Sequence, residues 1–256
     1  MKIIRFRHHT SEPLWGVLEE EGIRPLPGGL FGGGEPEGEL IPFNEVEILA
    51  PLVPQKLIAV GRNYTAHAAE KGNAVPTEPM IFLVSPTAVI GSDEVIQLPN
   101  TKDRIEYEGE LAVVIGKGGK DIPRENALEH VLGYTGANDV SNRDLQKKDG
   151  QFTRAKSFDT FKPLGPVIET KLDPSDIRLV LRVNGEIRQD GRTSDMVHDI
   201  PGQIAFISSI FPLERGDVIL TGTPAGVGPL RPGDEVEMTI EGIGTLRSRV
   251  EVKLNS

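Results

Sequence analysis

The stretch from Arg104 to Gly116 joins an acidic strand pattern to an apolar one. With the two-residue period of a β-strand, Glu106, Glu108 and Glu110 lie on one face. Leu111 to Ile115 are apolar on both faces, which is typical of a strand buried on both sides. An unpaired carboxylate at this junction would cost roughly several kcal/mol, so we expect a Lys, an Arg or a metal ion to meet Glu110. The alternative is a solvated acidic strand end.

Short strand patterns separated by turns dominate the rest of the chain. Residues 1–50 hold two strand candidates and a loop rich in Gly and Pro, which predicts a small N-terminal β unit. A Pro-rich joint, Ala50 to Pro54, leads into a main domain over residues 51–256. Within that domain, Asn184 and Gly185 give the strongest hairpin signal.

Helical periodicity is restricted to a few segments. The clearest are residues 124–134 and residues 198–211, and both have apolar residues along one side. A shorter helix is predicted after the apolar strand Lys56 to Val60, with Asn63 as its cap and Gly72 at its end. The sequence therefore predicts a mainly β (α+β) fold with a few covering helices.

Composition limits the kinds of site that the chain can hold. A length of 256 residues is enough for one large core, and the absence of cysteine excludes disulfides, thiolate metal sites and thiol nucleophiles. The net charge of -10 disfavours nucleic acid and anionic membranes as partners. Without a membrane-spanning run or a signal-peptide pattern, the expected location is the cytoplasm.

His67 and Glu70 stand three residues apart in the short predicted helix. That spacing places both side chains on one face, where the carboxylate can orient the imidazole and make it more basic. Such a pair suits a general base. An ordinary surface pair is the alternative.

Further polar residues follow in three separate segments. Asp139 closes a stretch of small residues, and Arg143 and Gln146 follow at near-helical spacing, where both could hold an anion. Lys156 lies among phenylalanines, and Thr223 begins a Gly-rich loop that could bind a carboxylate. The alternatives are a turn or helix cap for Asp139 and a solvent-directed side chain for Lys156. That Gly-rich loop lacks the phosphate-loop and dinucleotide patterns, which argues against nucleotide binding.

Five motifs of the chain resemble the fumarylacetoacetate hydrolase family, in the same order and spacing from about Lys56 to Val250. These motifs are GRNYTAHAAE, YEGELAVVIG, GYTGANDVSNRDLQ, FTRAKSFDTFKPLGP and TGTPAGVGP. The chain looks most like the small single-subunit branch, which contains acylpyruvate and fumarylpyruvate hydrolases, oxaloacetate decarboxylases and diene-dioate isomerases. The resemblance implies the mixed β roll of that family's C-terminal domain and, because its relatives are usually homodimers, a homodimer.

The resemblance also implies a metal site. Glu108, Glu110 and Asp139 match the family's ligands for Mg²⁺ or Mn²⁺, with Ca²⁺ able to replace them in crystals. Three carboxylates give the all-oxygen site that such ions prefer, which agrees with acid beside a buried strand. Glu106 has no role in the family and is expected to point outward.

Other roles are carried over in the same way. His67 and Glu70 match the family's water-activating pair, and Lys156 matches the lysine that stabilises developing negative charge. The carboxylate end of the substrate is held in the family by positions that match Arg143, Gln146 and Thr223. Many relatives have a lysine where this chain has Val84, so recognition of the far end of the substrate is expected to differ. Arg62, Arg154 or Lys162 could take the place of that lysine.

The expected reaction is metal-dependent cleavage of a C–C bond in an acylpyruvate-type 2-oxo acid by a water molecule that His67 and Glu70 activate. The alternative is decarboxylation or isomerisation of 2-oxo dicarboxylic acids, because those reactions share the same enolate. A non-catalytic metal-binding scaffold is a third interpretation. The presence of both His67 and Glu70 argues against it, since a scaffold needs neither residue.

Overall fold

Three β-sheets form the framework of the protein in this computed structural model, which describes residues 1–9 and 11–253. The prediction of a mainly β fold with few helices is confirmed. The strands are Lys2–His8 (β1), Leu14–Leu18 (β2), Ile23–Pro25 (β3), Val46–Leu49 (β4), Leu57–Gly61 (β5), Met80–Val84 (β6), Val89–Ile90 (β7), Val95–Leu98 (β8), Ile105–Tyr107 (β9), Gly109–Ile115 (β10), Val131–Asn138 (β11), Ser141–Asn142 (β12), Lys162–Glu169 (β13), Arg178–Val183 (β14), Glu186–Arg192 (β15), Val218–Leu220 (β16), Gly228–Pro229 (β17), Glu235–Ile240 (β18) and Gly244–Val252 (β19).

Four α-helices accompany the sheets: Thr65–Glu70 (α1), Arg143–Asp149 (α2), Thr153–Lys156 (α3) and Ile200–Ile210 (α4). Short 3₁₀ helices occupy Phe43–Glu45, Pro86–Ala88, Arg124–His130, Pro174–Asp176 and Thr193–Asp195. The longest α-helix, α4, has eleven residues. Across residues 1–9 and 11–253, none of the helices has the length and apolar character needed to cross a membrane.

The main sheet has eleven strands, with the path β3-β2-β1-β13-β11-β10-β16-β5-β6 and with β4 and β7 paired to β1 and β13. A second sheet follows the order β15-β14-β18-β19-β8, and a small third one the order β12-β9-β17. The predicted hairpin turn is confirmed, because Asn184 and Gly185 have φ values of 53° and 79°, as a two-residue hairpin turn requires.

Strand β10 lies inside the main sheet and is buried on both faces. Leu111, Val113 and Ile115 belong to one hydrophobic cluster, while Ala112 and Val114 belong to another on the opposite face. This alternation explains why the sequence is apolar at every position here. The expectation of a doubly buried strand is confirmed.

The register of the main sheet brings several strand ends to one edge. Strand β10 pairs antiparallel with β11, with Gly109 opposite Asn138, so the start of β10 meets the end of β11. Strand β16 is antiparallel to β10 and parallel to β5, and both β16 and β5 end at this same edge. The loop after β16 and helix α1 after β5 therefore lie beside the acidic start of β10.

The N-terminal strands continue the main sheet. Strand β1 pairs with β13 in the register Lys2 to Glu169, and Phe6 is completely buried in the same cluster as β10 residues. The boundary at residue 50 stays a prediction, but β1 and the main domain share one sheet.

Two local predictions are wrong. The segment predicted as a helix over residues 124–134 is a 3₁₀ helix only to His130, and Val131 begins β11, because its apolar side chains complete the sheet next to β10. Asn63 does not cap α1; its side-chain amide donates to the carbonyl oxygens of His198 and Thr221. Gly72 does follow the helix, with a φ of 66°.

The burial of Phe6 gives a test of the shared core. Phe6→Ala should lower the free energy of unfolding by about 3–5 kcal/mol, since it leaves a cavity in the core. Phe43→Ala, at a position that is 44% exposed, is the matched control and should cost less than about 0.5 kcal/mol. Urea unfolding measures both. Equal small effects would show that β1 contributes nothing to the common core.

Candidate active site

Three buried carboxylates converge at the edge where β10 begins. Glu108 immediately precedes β10, Glu110 is the second residue of β10, and Asp139 follows β11. The backbone N–H of Asp139 donates to the carbonyl oxygen of Glu108 at 2.8 Å, which fixes the two segments to each other. One oxygen from each carboxylate lies within 4.8 Å of the others. The residues predicted to hold a metal are therefore together in space.

Cationic side chains contact two of these carboxylates. The ammonium of Lys156 donates to Glu108 at 2.7 Å and also to Asp139, and Arg143 donates to Glu108 at 2.5 Å. Burial alone would raise the pKa of Glu108, but Arg143 and Lys156 outweigh it and hold that pKa well below its usual range. Burial alone would lower the pKa of Lys156, but Asp139 and Glu108 outweigh it and raise that pKa, so the ammonium stays charged.

A second lysine, Lys162, is buried behind Asp139. Its ammonium donates to the carbonyl oxygens of Val140 and Phe161 and lies 2.8 Å from Oδ1 of Asp139. That contact is close enough for ionic attraction but lacks the direction of a hydrogen bond, so Oδ1 keeps free lone pairs. Burial lowers the pKa of Lys162 to about 8 although Asp139 opposes this. Sequence reasoning gave Lys162 no place behind the carboxylates, because nothing local marks a lysine in Phe-Lys-Pro as buried.

Glu110 has a different environment from the other two carboxylates. Its Oε2 accepts a hydrogen bond from the backbone N–H of Gly222 at 2.7 Å, and no Lys or Arg of the described residues pairs with it. Burial, together with repulsion by Asp139 and Glu108, raises its pKa well above the usual range. A carboxylate in this position favours a cation that the chain itself does not supply.

These features fit a hard divalent cation. The donor set consists only of carboxylate oxygens, as Mg²⁺ and Mn²⁺ prefer, and both Glu110 and Oδ1 of Asp139 have lone pairs to offer. Lys156 and Arg143 occupy other oxygen positions of the cluster without separating the three carboxylates.

His67 projects from α1 toward the same cluster. Its Nε2 lies 3.9 Å from Oε1 of Glu108, and its Nδ1 lies 3.6 Å from Oε2 of Glu70. The predicted pair therefore shares a face of the helix, but the Nδ1 to Glu70 distance is too long for a hydrogen bond, and Nδ1 is buried without a partner among the described residues. Burial lowers the pKa of His67, while attraction to Glu108 opposes the change. The imidazole is therefore neutral near pH 7.

A cavity of about 590 Å³ opens above the carboxylates. Arg143 and Gln146, one turn apart on α2, lie on its wall and contact each other through a 2.9 Å hydrogen bond. Thr223 also borders the cavity, but its hydroxyl donates to the carbonyl oxygen of Gly109 and accepts from Gln189. Its role toward a substrate carboxylate stays a prediction.

Glu106 does not point outward, so that expectation is wrong. Its side chain is completely buried and pairs with Lys71, Arg104 and Arg143. The strand predicted across Glu106 to Glu110 is interrupted at Glu108, between β9 and β10. With a two-residue strand period, the apolar neighbours Ile105 and Tyr107 place Glu106 on the opposite face, so no local sequence pattern indicated its burial.

Val84 is buried in the core of the sheet and is not part of the cavity wall. Arg154 pairs with Asp149 away from the cavity, whereas Arg62 lines it in a left-handed backbone conformation, with a φ of 57°. Phe82, two residues before Val84, lies 5.3 Å from the Lys156 ammonium. This wall of the cavity is therefore aromatic, with Arg62 as a nearby cation.

The raised pKa of Glu110 predicts that metal binding releases a proton. Below its raised pKa the carboxyl carries a proton, so Mg²⁺ binding must expel it, and this release should decrease as pH rises through that pKa. Calorimetry in two buffers of different ionisation enthalpy measures the released protons. Glu108→Ala or Asp139→Ala should weaken Mg²⁺ binding by at least about a hundredfold, whereas the exposed control Glu129→Ala should not. Identical heats in both buffers would contradict the predicted release.

Two family descriptions match the chain. "Fumarylacetoacetate (FAA) hydrolase C-terminal" matches residues 56–251, and "Rv2993c-like, N-terminal" matches residues 1–51. Among similar proteins, Protein Rv2993c of Mycobacterium tuberculosis is 50% identical over 238 residues, which cover 92% of this chain and 90% of that protein. Oxaloacetate tautomerase YisK of Bacillus subtilis is 43% identical over 235 residues, which cover 84% of this chain and 78% of that protein.

A solved structure shows the same fold over almost the whole length. The crystal structure of 5-carboxymethyl-2-hydroxymuconate delta-isomerase from Mycobacterium smegmatis has a TM-score of 0.92 and 46% sequence identity, and the match covers 99% of this chain and 100% of that one. These matches confirm the resemblance found in the five sequence motifs. The chain is an enzyme of the fumarylacetoacetate hydrolase family.

Proposed function

We propose that the chain is a divalent-metal-dependent isomerase that interconverts the keto and enol forms of a small, anionic 2-oxo acid. The observation that carries this proposal is that the imidazole of His67 and the ammonium of Lys156 lie beside the same carboxylate, Glu108, at 3.9 Å and 2.7 Å, with the pKa of His67 lowered and that of Lys156 raised. Proton transfer next to a carbonyl requires a base that takes the proton from carbon and a cation that stabilises the charge developing on the oxygen. Similar proteins bear the names oxaloacetate tautomerase and delta-isomerase, which denote proton transfer.

The charge of the site supports an anionic substrate. Four buried carboxylates at the cavity, Glu106, Glu108, Glu110 and Asp139, are surrounded by a larger number of cationic side chains. These are Lys71, Arg104, Arg143, Lys156 and Lys162. A divalent ion would add to this positive excess. An acidic protein with a positive pocket attracts a small anion to that pocket.

The metal would supply one function. Held by Glu108, Glu110 and Asp139, Mg²⁺ or Mn²⁺ would act as a Lewis acid toward a 2-oxo acid and stabilise negative charge on its oxygen. The remaining steps belong to the side chains of the protein.

His67 moves the proton in this proposal. Its neutral Nε2 accepts a proton from the carbon next to the keto group and gives it to the keto oxygen, which forms the enol; the reverse transfer, from the enol oxygen to that carbon, restores the keto form. Glu70 orients the ring from the Nδ1 side. Lys156 keeps its charge and stabilises the oxygen on which negative charge develops. Arg143 and Gln146 hold the carboxylate of the substrate at the cavity wall.

Hydrolysis is the second candidate reaction. The observation in its favour is the same His67 and Glu70 pair, because an imidazole with a nearby carboxylate can also activate water. This was the first expectation from the sequence, and the names of the similar proteins favour isomerisation over it. The two reactions give different products, so one assay separates them.

The proposed activity can be measured with oxaloacetate. Protein with Mg²⁺ should accelerate the approach to keto–enol equilibrium, followed by the ultraviolet absorbance of the enol, without changing the equilibrium composition. His67→Ala should slow this by about a hundredfold or more, since it removes the base. His130→Ala, at a histidine outside the cavity, is the matched control and should behave as the unchanged protein.

The outcomes distinguish the candidates. Cleavage of acetylpyruvate or fumarylpyruvate to two acids would support hydrolysis, and CO₂ release from oxaloacetate would support decarboxylation. Tautomerisation at the buffer rate, or retention of full activity in His67→Ala, would contradict the proposal.

The lowered pKa of His67 sets the expected pH dependence. The base is active when neutral, so kcat/KM should fall only as pH drops below the usual imidazole value of about 6.5 and should be flat from there to neutral pH. Stopped-flow rates from acid to neutral pH, corrected for the buffer rate and taken at Mg²⁺ concentrations that saturate the protein at every pH, measure this profile. An acid limb above the usual imidazole value would mean that another group accepts the proton.

A further inference from the structure

Glu106 is a completely buried carboxylate without a part in the steps above. Three cationic side chains donate to it: Lys71 at 2.8 Å, Arg104 at 2.6 Å and Arg143 at 2.6 Å. Lys71 directly follows α1, Arg104 precedes β9, and Arg143 begins α2. One carboxylate therefore joins three separate elements around the cavity.

Helix α1 depends on contacts of this kind for its orientation. It has only six residues, which is too short for a helix to be stable by itself, and Tyr64 before it provides no side-chain cap. Lys71 is connected to the base through the helix backbone, because its N–H donates to the carbonyl oxygen of His67 at 3.3 Å. A displacement of Lys71 would therefore move the imidazole.

Arg143 connects the same carboxylate to the metal-binding cluster. Its Nε donates to Glu106, and its Nη2 donates to Glu108 at 2.5 Å. Glu108 in turn lies 3.9 Å from Nε2 of His67. The contacts form a closed path from Glu106 through Lys71 and α1 to His67, and back through Glu108 and Arg143.

We propose that Glu106 is a positioning residue that holds His67 in register with the carboxylate cluster, acting through Lys71 on one side and Arg143 on the other. The inference rests on the proposed function for the role of His67. Glu106 touches no reacting atom in this arrangement. Its contribution is to orientation, and an error of about 1 Å in the position of a reacting group can cost a hundredfold in rate.

Simple charge compensation is the competing explanation, and the chain offers a matched control for it. Lys56 contacts the completely buried Asp217 at 2.9 Å, much as Lys71 contacts Glu106. The two lysine side chains are similarly exposed, 24% for Lys56 and 27% for Lys71. Lys56→Met and Lys71→Met each remove a lysine from a completely buried carboxylate. Lys56 also contacts the exposed Glu214, and only Lys71 is joined to α1.

The experiment compares these variants with Glu106→Gln and the double variant Lys71→Met/Glu106→Gln. Lys71→Met should lower kcat about tenfold with KM within about twofold, and the double variant should lose no more than Glu106→Gln alone, since both break one connection. Hydrogen exchange of the α1 amides should be faster in Lys71→Met and Glu106→Gln and unchanged in Lys56→Met. Calorimetry should show that Lys71→Met binds Mg²⁺ as the unchanged protein does.

Three results would overturn the proposal. These are α1 exchange equal in Lys71→Met and Lys56→Met, losses of kcat that multiply in the double variant, or loss of Mg²⁺ binding in Lys71→Met. If the unchanged protein shows no keto–enol activity, the proposed function fails, and the exchange measurement alone decides whether Glu106 holds the helix.

Discussion

Compensation of four buried carboxylates is the constraint on which the whole site depends. Strand β10 must be apolar to fill the interior of the main sheet, yet its first residues and their neighbours carry negative charge. Water cannot solvate these groups, so cations must come from elsewhere in the chain. Lys71, Arg143 and Lys156 arrive from three different helical segments, and their contacts fix those segments around the cavity. Glu110 is contacted by none of these three cations, and its raised pKa favours the protonated form.

Sequence patterns predicted the features that depend on local chemistry. The doubly buried strand, the Asn184–Gly185 turn and the convergence of Glu108, Glu110 and Asp139 were all available from period and motif. The predictions that failed depended on distant partners. Residues after His130 joined a sheet whose other strands are remote in sequence, and Asn63 bonded to residues 135 and 158 positions away. The intrinsic helix or strand propensity of a segment depends on its local sequence and does not include contacts with residues far away in the chain.

Glu106 shows the same limit inside the site. A strict two-residue period places it beside Glu108 and Glu110, but the strand is interrupted at Glu108, so Glu106 faces a different set of cations. The resemblance to the family assigned it no role, and two of its three partners, Lys71 and Arg143, lie 35 and 37 residues away. The chemistry of the reaction is also underdetermined by motifs, because hydrolysis, decarboxylation and isomerisation place the same demands on the carboxylate cluster. Similar proteins with isomerase and tautomerase names changed the preference that the sequence had suggested.

The unpartnered Nδ1 of His67 has a consequence for the protonation form of the ring. A neutral imidazole carries its single proton on one nitrogen or the other, and only the form protonated at Nδ1 leaves a lone pair on Nε2 to face the carboxylate cluster. A shift of Glu70 by less than about 1 Å would complete a hydrogen bond from Nδ1, worth about 1 kcal/mol and hence about a fivefold gain in that competent form. The unmade contact between Nδ1 and Glu70 thus leaves the choice between the two protonation forms of the ring without a hydrogen bond that would favour the competent one.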